Sequence, residues 1–318
     1  MRSRFLCAAG LAIVSAACAS QPASPARPDR YDASPLNGPV TLRGSVTATN
    51  GGQMLPGIYV DANGRVLATD TNGMFALETP AANPLRLSFT GSSIIPRTVS
   101  VAADSSRTVA VEAIAAAGFD LTHYQQMARN ASHGPMLPLR RWTNAPVVYL
   151  MVNDEAGTPV PAQTLAVTEQ AIRETMPIFS GGQFQARIER VTTRGPLGGF
   201  TVRWPVSQPE DRCGQADVAQ DGGIVDLFYM KTACQCPGVS LIRAGTVRHE
   251  IGHAMGFYHT SNPADVMSSQ GRTACDYLPT DRERLAARIA YSRPVGNLDP
   301  DVDPASSMSV TPTTVVVP

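Results

Sequence analysis

Residues 249–259 read HEIGHAMGFYH and contain three of the five histidines in this chain of 318 residues. His249 and His253 are four positions apart, so on a helix both imidazoles project from one face, one turn apart. Gly256 can adopt a left-handed backbone conformation that ends the helix sharply. The turn would return the chain and bring His259 to the same point. The spacing therefore predicts a helix followed by a metal site of three imidazoles.

The donor set indicates which metal such a site would hold. Imidazole nitrogens suit zinc, and three protein ligands leave one position open for water, which is the arrangement of a catalytic zinc site. One catalytic Zn2+ ion is therefore the expected cofactor. Zinc lowers the pKa of its bound water towards about 7, and Glu250 would take the proton of that water as general base. The constellation predicts a zinc metalloendopeptidase that hydrolyses a peptide or protein substrate.

The same stretch resembles a known family of zinc proteases. It matches the metzincin pattern HExxHxxGxxH at every fixed position, and residues 264–269, ADVMSS, resemble the Met-turn of that family. The resemblance implies that Met267, eight residues after His259, forms an apolar floor beneath the zinc. Two serines follow this methionine, so the tyrosine of astacin-like enzymes is missing and a matrixin-like site is implied. The resemblance also assigns to Asp281 the role of bracing the Met-turn.

Substrate binding is described less fully by the sequence. Metzincins hold peptides extended along a sheet edge, so the resemblance implies the same mode for this chain. The selecting pocket is expected along the loop from Ser268 to Leu278, held by Cys275, with Tyr277 on its wall. Neither the preferred side chain nor the oligomeric state follows from these residues.

Four cysteines remain in the C-terminal half once Cys7 and Cys18 are assigned to a targeting segment; they are Cys213, Cys234, Cys236 and Cys275. An even set in an exported chain predicts two disulfides. The second and third are too close to pair without strain, so each is expected to reach one of the distant cysteines. A structural zinc site of four thiolates is the alternative. In addition, DRCGQADV resembles the matrixin cysteine switch, in which the first of the four would occupy the fourth zinc position.

Residues 1–18 read as a signal peptide with a short basic region and an apolar run too short to span a bilayer. The sequence SAAC, ending at Cys18, resembles a bacterial lipobox with a serine in place of the usual aliphatic residue. Ordinary cleavage after Ala19 is the alternative. Residues 19–38 are expected to form a disordered tether. Both alternatives predict export, either as a lipid-anchored protein of a bacterial envelope or as a secreted or periplasmic protein.

Residues 39–113 alternate apolar with polar or small side chains over several short runs, which predicts a β-sandwich of about seven strands. Asn63-Gly64 is a strong hairpin signal, and Asn72-Gly73 is expected to act similarly. The runs RGSV, LPGIYV and TDTNGMFAL also resemble the carboxypeptidase regulatory-like, or prealbumin-like, domain. The resemblance implies a spacer or adhesion module without catalytic residues.

The rest of the chain predicts a connector at 114–144, an α+β metzincin-type catalytic domain at 145–292 and a disordered tail at 293–318. Asp120 is expected to cap a short helix in the connector, and Pro177 to end a helix that starts at Pro161. Thr280 and Glu283 form a capping box at the start of the last helix. The isolated histidines His123 and His133 receive no chemical role.

Composition limits the possible partners. The chain has 26 basic and 26 acidic residues and no basic stripe, so nucleic acid is not an expected partner. The membrane is expected to be contacted only through the lipid anchor. Two alternative functions stay open: an exported surface binding protein with a non-catalytic zinc fold, and a zinc hydrolase of a non-protein amide such as a cell-wall crosslink. The intact Glu250 argues against the first of these.

Overall fold

The computed structural model describes residues 39–80, 85–101, 108–207, 209–270, 274–305 and 316–317. The predicted signal segment with Cys18 and the predicted tether lie outside these ranges. All described residues belong to one unit of the chain, 37–318.

The first part of this unit consists of seven strands in two sheets. The strands are β1 (Pro39–Ala48), β2 (Tyr59–Ala62), β3 (Arg65–Ala68), β4 (Met74–Pro80), β5 (Leu85–Thr90), β6 (Arg97–Val101) and β7 (Thr108–Ala113). One sheet has the order β4-β1-β7, with β1 and β7 parallel, and the other has the order β3-β2-β5-β6. Alternate side chains of both sheets meet in one apolar core, to which Val46 and Phe89 contribute with no exposed surface. The alternation of side chains along each strand therefore places one face of each sheet inside.

Two Asn-Gly pairs form turns of different kinds. Asn63 and Gly64 have φ of 53° and 82° and connect the antiparallel strands β2 and β3, which confirms the predicted hairpin. Gly73 lies between β3 and β4, which belong to different sheets, so the prediction of a second hairpin is wrong. There the carboxylate of Asp70 accepts hydrogen bonds from the backbone N–H groups of Asn72 and Met74, and the turn carries the chain from one sheet to the other.

The second part combines one mixed sheet with four helices. The helices are α1 (Leu121–Arg129), α2 (Ala162–Phe179), α3 (Ala244–Ala254) and α4 (Asp281–Tyr291). The strands are β8 (Val147–Met151), β9 (Arg187–Val191), β10 (Gly199–Arg203), β11 (Gly214–Asp217), β12 (Gly223–Leu227) and β13 (Val316–Val317). The sheet order is β13-β11-β12-β10-β8-β9, in which β11 is antiparallel to both of its neighbours. Among the helices of the described ranges, none has the length and apolar character needed to cross a membrane.

The predicted connector packs as an integral part of this second core. Asp120 caps α1 by accepting a hydrogen bond from the N–H of His123 at 2.9 Å, as predicted. Tyr124 and Leu139 are buried in the same apolar cluster as the inner residues of α2, α3 and the sheet.

Helix α2 continues through Pro177, because a proline in the last turn removes only one N–H and leaves the preceding turns intact.

The prediction of a disordered tail at 293–318 is wrong for residues 293–305. Arg293 and Asp301 are each 1% exposed and form a bidentate ion pair at 2.9–3.0 Å. Arg97, on strand β6, donates to the same aspartate at 2.5 Å. Because this segment is held by charged side chains rather than by apolar ones, it lacks the hydrophobic periodicity from which folding is predicted.

Candidate metal centre

Helix α3 and the turn after it bring three histidine side chains together. His249 and His253 lie one turn apart on α3, and the helix ends at Ala254. Gly256 follows with a φ of +113°, and a Cβ on it would lie 2.3 Å from the carbonyl oxygen of Arg140. Only glycine fits this turn, which returns the chain so that His259 reaches the other two histidines.

The three Nε2 atoms have the spacing of ligands to a single ion. His249 and His259 are 3.1 Å apart, His249 and His253 are 3.1 Å apart, and His253 and His259 are 3.2 Å apart. Three nitrogens at about 2.0–2.1 Å from one tetrahedral ion lie about 3.3 Å from each other. The group can therefore hold a metal ion.

Backbone carbonyl groups orient two of the imidazoles. The Nδ1 atom of His249 lies 2.6 Å from the oxygen of Val266, and that of His253 lies 2.7 Å from the oxygen of Phe257. A carbonyl oxygen only accepts, so each Nδ1 carries the proton and each Nε2 keeps its lone pair for a metal. Burial lowers the pKa of all three imidazoles, that of His259 to about 3. Neutral imidazole is the form that binds a metal.

Glu250 lies beside the three histidines with one carboxylate oxygen unpartnered. Its side chain is 4% exposed, and its Oε2 atom is buried with no hydrogen-bond partner among the described residues. Burial raises the pKa of this carboxyl well above its usual range, and the nearby Asp226 adds to the effect. Gly214 of β11 makes room for it, since a Cβ there would lie 2.5 Å from Oε1 of Glu250. An unpartnered oxygen in this position is suited to accept a proton.

Met267 packs directly against helix α3, which carries His249 and His253. It has no exposed surface, and its Sδ atom lies 2.2 Å from where a Cβ on Gly252 would be. Gly252 lies between His249 and His253 in the sequence, so the sulfur contacts the part of α3 that carries these two histidines. The N–H of Thr260 donates to the carbonyl oxygen of Met267 at 2.7 Å, which ties this residue to the segment after His259.

The carboxylate that holds the turn around Met267 belongs to Glu283 and not to Asp281, so the prediction for Asp281 is wrong. Asp281 is exposed at the first position of α4. Glu283, which has no exposed surface, accepts hydrogen bonds from the N–H groups of Met267 at 2.8 Å and Thr280 at 2.7 Å. The capping box at Thr280 is present as predicted. The carboxylate of Glu283 is buried because its two oxygens have different partners. Oε2 accepts from Thr280 at the start of α4, and Oε1 accepts from Met267 in the turn around that residue.

A second buried carboxylate, Asp265, supports the same turn and was not found from the sequence. It accepts hydrogen bonds from the hydroxyl groups of Thr260 at 2.8 Å and Thr280 at 3.0 Å. Arg282 donates to it at 2.8 Å, and Nε2 of His123 lies 3.2 Å from its Oδ2. The histidine in the predicted connector therefore has a structural contact, although it lies far from the motif in sequence.

The four cysteines form the pairs Cys213–Cys234 and Cys236–Cys275. This confirms that the two close cysteines each reach a distant one, and it excludes a site of four free thiolates. Cys213 has no thiolate available as a metal ligand while it is bonded to Cys234. Two disulfides are consistent with an extracellular protein.

His249, Glu250 and His259 line a cleft of about 480 Å³. Gly214, Ser268 and Tyr277 also line it. The ring of Tyr277 lies against α3, because a Cβ on Gly245 would be 2.0 Å from that ring. The expected pocket loop therefore borders the cleft in its described part; residues 271–273 of the loop lie outside the described ranges.

Comparison of the sequence with protein-family models finds no match, and comparison with curated proteins finds none either. The arguments for a function therefore come from the geometry of the site and from the residue pattern that produces it.

Proposed function

We propose that the protein is a zinc-dependent endopeptidase with a matrixin-like metzincin catalytic domain, preceded by a carboxypeptidase regulatory-like β-sandwich. One observation carries the proposal: three Nε2 atoms lie within 3.2 Å of each other beside a buried carboxylate oxygen that has no hydrogen-bond partner among the described residues. The histidines would hold the ion, and Glu250 would be the general base.

The residues of the chain divide the chemical work between them. His249, His253 and His259 hold the ion, which when bound activates water and polarises the substrate carbonyl. Glu250 takes a proton from the attacking water and returns it to the leaving amine. Its buried position supports this role, because a carboxyl group with a raised pKa holds a transferred proton more strongly than an exposed one. Met267 packs against α3 at Gly252 and would hold the histidine-bearing helix in position.

The substrate would be an extended polypeptide. Strand β11 borders the cleft through Gly214. The backbone groups on its side away from β12 could bind an extended peptide without regard to the sequence of that peptide, in the place that β13 takes in the sheet. Tyr277, which also lines the cleft, would contact a substrate side chain. A protein substrate therefore fits the cleft better than a small amide.

The test uses the full chain and a Glu250→Gln variant, assayed with an unfolded protein substrate and by metal analysis. We expect one zinc per chain in both proteins, with the rate at least about 100-fold lower in the variant, since general base catalysis contributes about that much. Glu78→Gln, an exposed change on β4, is the matched control and should retain full activity. Equal rates for the full chain and Glu250→Gln would overturn the proposal.

The alternative functions are outcomes of the same experiment. Stoichiometric zinc with no turnover of any protein or peptide would indicate a binding protein. Turnover of a cell-wall amide but of no peptide would indicate a different hydrolase. A chain that binds no zinc would remove both the endopeptidase and these alternatives.

We also propose that the chain is exported and anchored to a bacterial envelope through a lipid on Cys18. The lipobox-like SAAC sequence and the two disulfides support export. Labelling of the expressed protein with a radioactive fatty acid tests the anchor, with Cys18→Ser as the control that should lose the label. If the full chain takes up no label and is found free outside the cells, ordinary cleavage and secretion replace the anchor.

A further inference from the structure

The tail of the chain pairs with the strand that borders the cleft. Strand β13 (Val316–Val317) lies antiparallel to β11, with Val317 opposite Ala216 and Val316 opposite Asp217. On its other side β11 pairs with β12. The described part of the tail therefore occupies the side of β11 that would otherwise be the edge of the sheet.

Strand β11 is held as a rigid template on this side. Cys213, just before the strand, is bonded to Cys234. Just after the strand, the N–H of Ala219 donates to the carbonyl oxygen of His253 at 3.2 Å, which ties this end to the metal-binding helix. A strand fixed at both ends presents its free backbone groups at little entropic cost to whatever pairs with it.

The direction of the tail leads towards the candidate centre. Along β11, Gly214 at the start of the strand packs against Glu250, and Ala216 and Asp217 follow it towards the other end of the strand. Because the pairing is antiparallel, the tail advances in the opposite sense, from the partner of Asp217 to the partner of Ala216. Its chain direction thus points to Gly214 and Glu250.

The tail takes the position that an extended peptide substrate would need on the same edge. One edge of a strand offers a single row of N–H and C=O groups, so two extended segments cannot pair with the same residues at once. The tail sequence supports strand formation, since Val315, Val316 and Val317 are all β-branched. A pairing of two residues is also short enough for a longer peptide to displace.

We propose that the segment around Val316–Val317 is an intramolecular competitor that occupies the substrate-binding edge of β11 and lowers the affinity of the enzyme for peptides. This inference rests on the proposed endopeptidase function. It assigns a role to a segment for which the sequence predicts only disorder. The proposed occupant of the edge is a segment of this chain. The tests below distinguish it from a second copy of the chain and from a foreign peptide.

The kinetic test compares the full chain with a variant that lacks residues 306–318. We expect KM for a peptide substrate to fall at least about 3-fold with kcat unchanged, which corresponds to an edge that the tail occupies about two-thirds of the time. A Val316→Pro/Val317→Pro variant, which removes the N–H groups of β13, should behave like the deletion. Ser306→Pro/Ser307→Pro is the matched control and should keep the KM of the full chain.

A free peptide with the sequence TPTTVVVP provides a second arm. Added to the deletion variant it should inhibit competitively, and a scrambled peptide of the same composition should not. Unchanged KM in both tail variants, or inhibition by both peptides alike, would overturn the proposal. A KM that falls with dilution of the full chain would show instead that the tail of a second copy occupies the edge.

Hydrogen exchange separates this inference from the proposed function. In the Glu250→Gln variant, where the measurement does not depend on turnover, amide exchange at Ala216 and Asp217, the residues that pair with the tail, should be faster when the tail is deleted. Faster exchange together with no cleavage by the unmodified chain would preserve the tail pairing and reject the endopeptidase. Cleavage with unchanged exchange would preserve the endopeptidase and reject the tail pairing.

Discussion

The sulfur of Met267 and the α-carbon of Gly252 are in direct contact, so that a Cβ on residue 252 would lie 2.2 Å from Sδ. The same Cβ would be 3.1 Å from the ring of Phe179 on α2. The glycine in HEIGH is thus fixed by a residue that follows it by fifteen positions. This contact couples the histidine helix to the methionine turn, and it can be tested by substitution.

We expect Gly252→Ala to lower the free energy of unfolding by about 1–3 kcal/mol, because the added methyl group overfills a packed site. Met267→Ala alone should cost about 2–5 kcal/mol through the cavity that it leaves. The double variant should cost clearly less than the sum, since the alanine at 252 then occupies part of that cavity. Urea unfolding of the four proteins measures the coupling, and strict additivity would show that the two residues are energetically independent.

The brace of the methionine turn gives a second prediction. Glu283→Ala should lower the free energy of unfolding by about 2–4 kcal/mol, because two buried N–H groups, those of Met267 and Thr280, lose their acceptor. Asp281→Ala is the control on the same helical turn. It should cost at most about 1 kcal/mol, the scale of a favourable charge at a helix N-terminus. Chemical unfolding would contradict the assignment if the two losses were equal.

The histidine site was predictable because its geometry is local. Helical periodicity places His249 and His253 together, and one glycine turn places His259 with them, so eleven residues suffice. The brace was not predictable in the same way. A capping box accounts for Glu283 fully at the level of sequence, and only the packing of α4 against the methionine turn shows that its carboxylate has a second use.

Residues 293–305 show why the tail was misjudged. Arg97 and Asp301, whose side chains hold this segment, are 204 positions apart. The hydrophobic periodicity of a segment indicates which of its own apolar side chains are buried. It gives no information about ion pairs with residues far away in the sequence. Strand β11 was missed for a related reason, since GQAD has no alternation of large apolar residues and is placed by its neighbours in the sheet.

Asp265 makes the stability of the protein depend on pH in the acid range. Burial alone would raise the pKa of its carboxyl, but the adjacent His123 imidazole and hydrogen bonds from Thr260 and Arg282 outweigh burial and lower the pKa to about 2. A carboxyl group with a depressed pKa stabilises the fold above its unfolded-state value of about 3.9 and loses this contribution as the pH falls through its folded-state value. The contribution at neutral pH is on the order of 2 kcal/mol.

Urea unfolding between pH 7 and pH 2 measures this contribution. We expect Asp265→Asn to be less stable than the full chain at pH 7 and to lose less stability between pH 4 and pH 2, because the titrating group is gone. The comparison needs only the difference between the two proteins at each pH, so the titration of other carboxyl groups cancels. Parallel curves over the whole range would show that Asp265 is not the group responsible.

The final prediction concerns the buried charges of the segment 293–305. Asp301 pairs with two buried guanidinium groups, those of Arg97 and Arg293, at 2.5 and 2.9 Å, and Arg97 has a second partner in Asp303 at 3.0 Å. Asp301→Ala should lower the free energy of unfolding by about 3–5 kcal/mol, because it removes the close partner of the buried Arg293. Glu112→Ala is the matched control, since this side chain is 55% exposed and lies 4.0 Å from the same Arg293. An exposed pair contributes about 0–1 kcal/mol, so a similar loss in both variants would mean that Asp301 does not hold the segment in place.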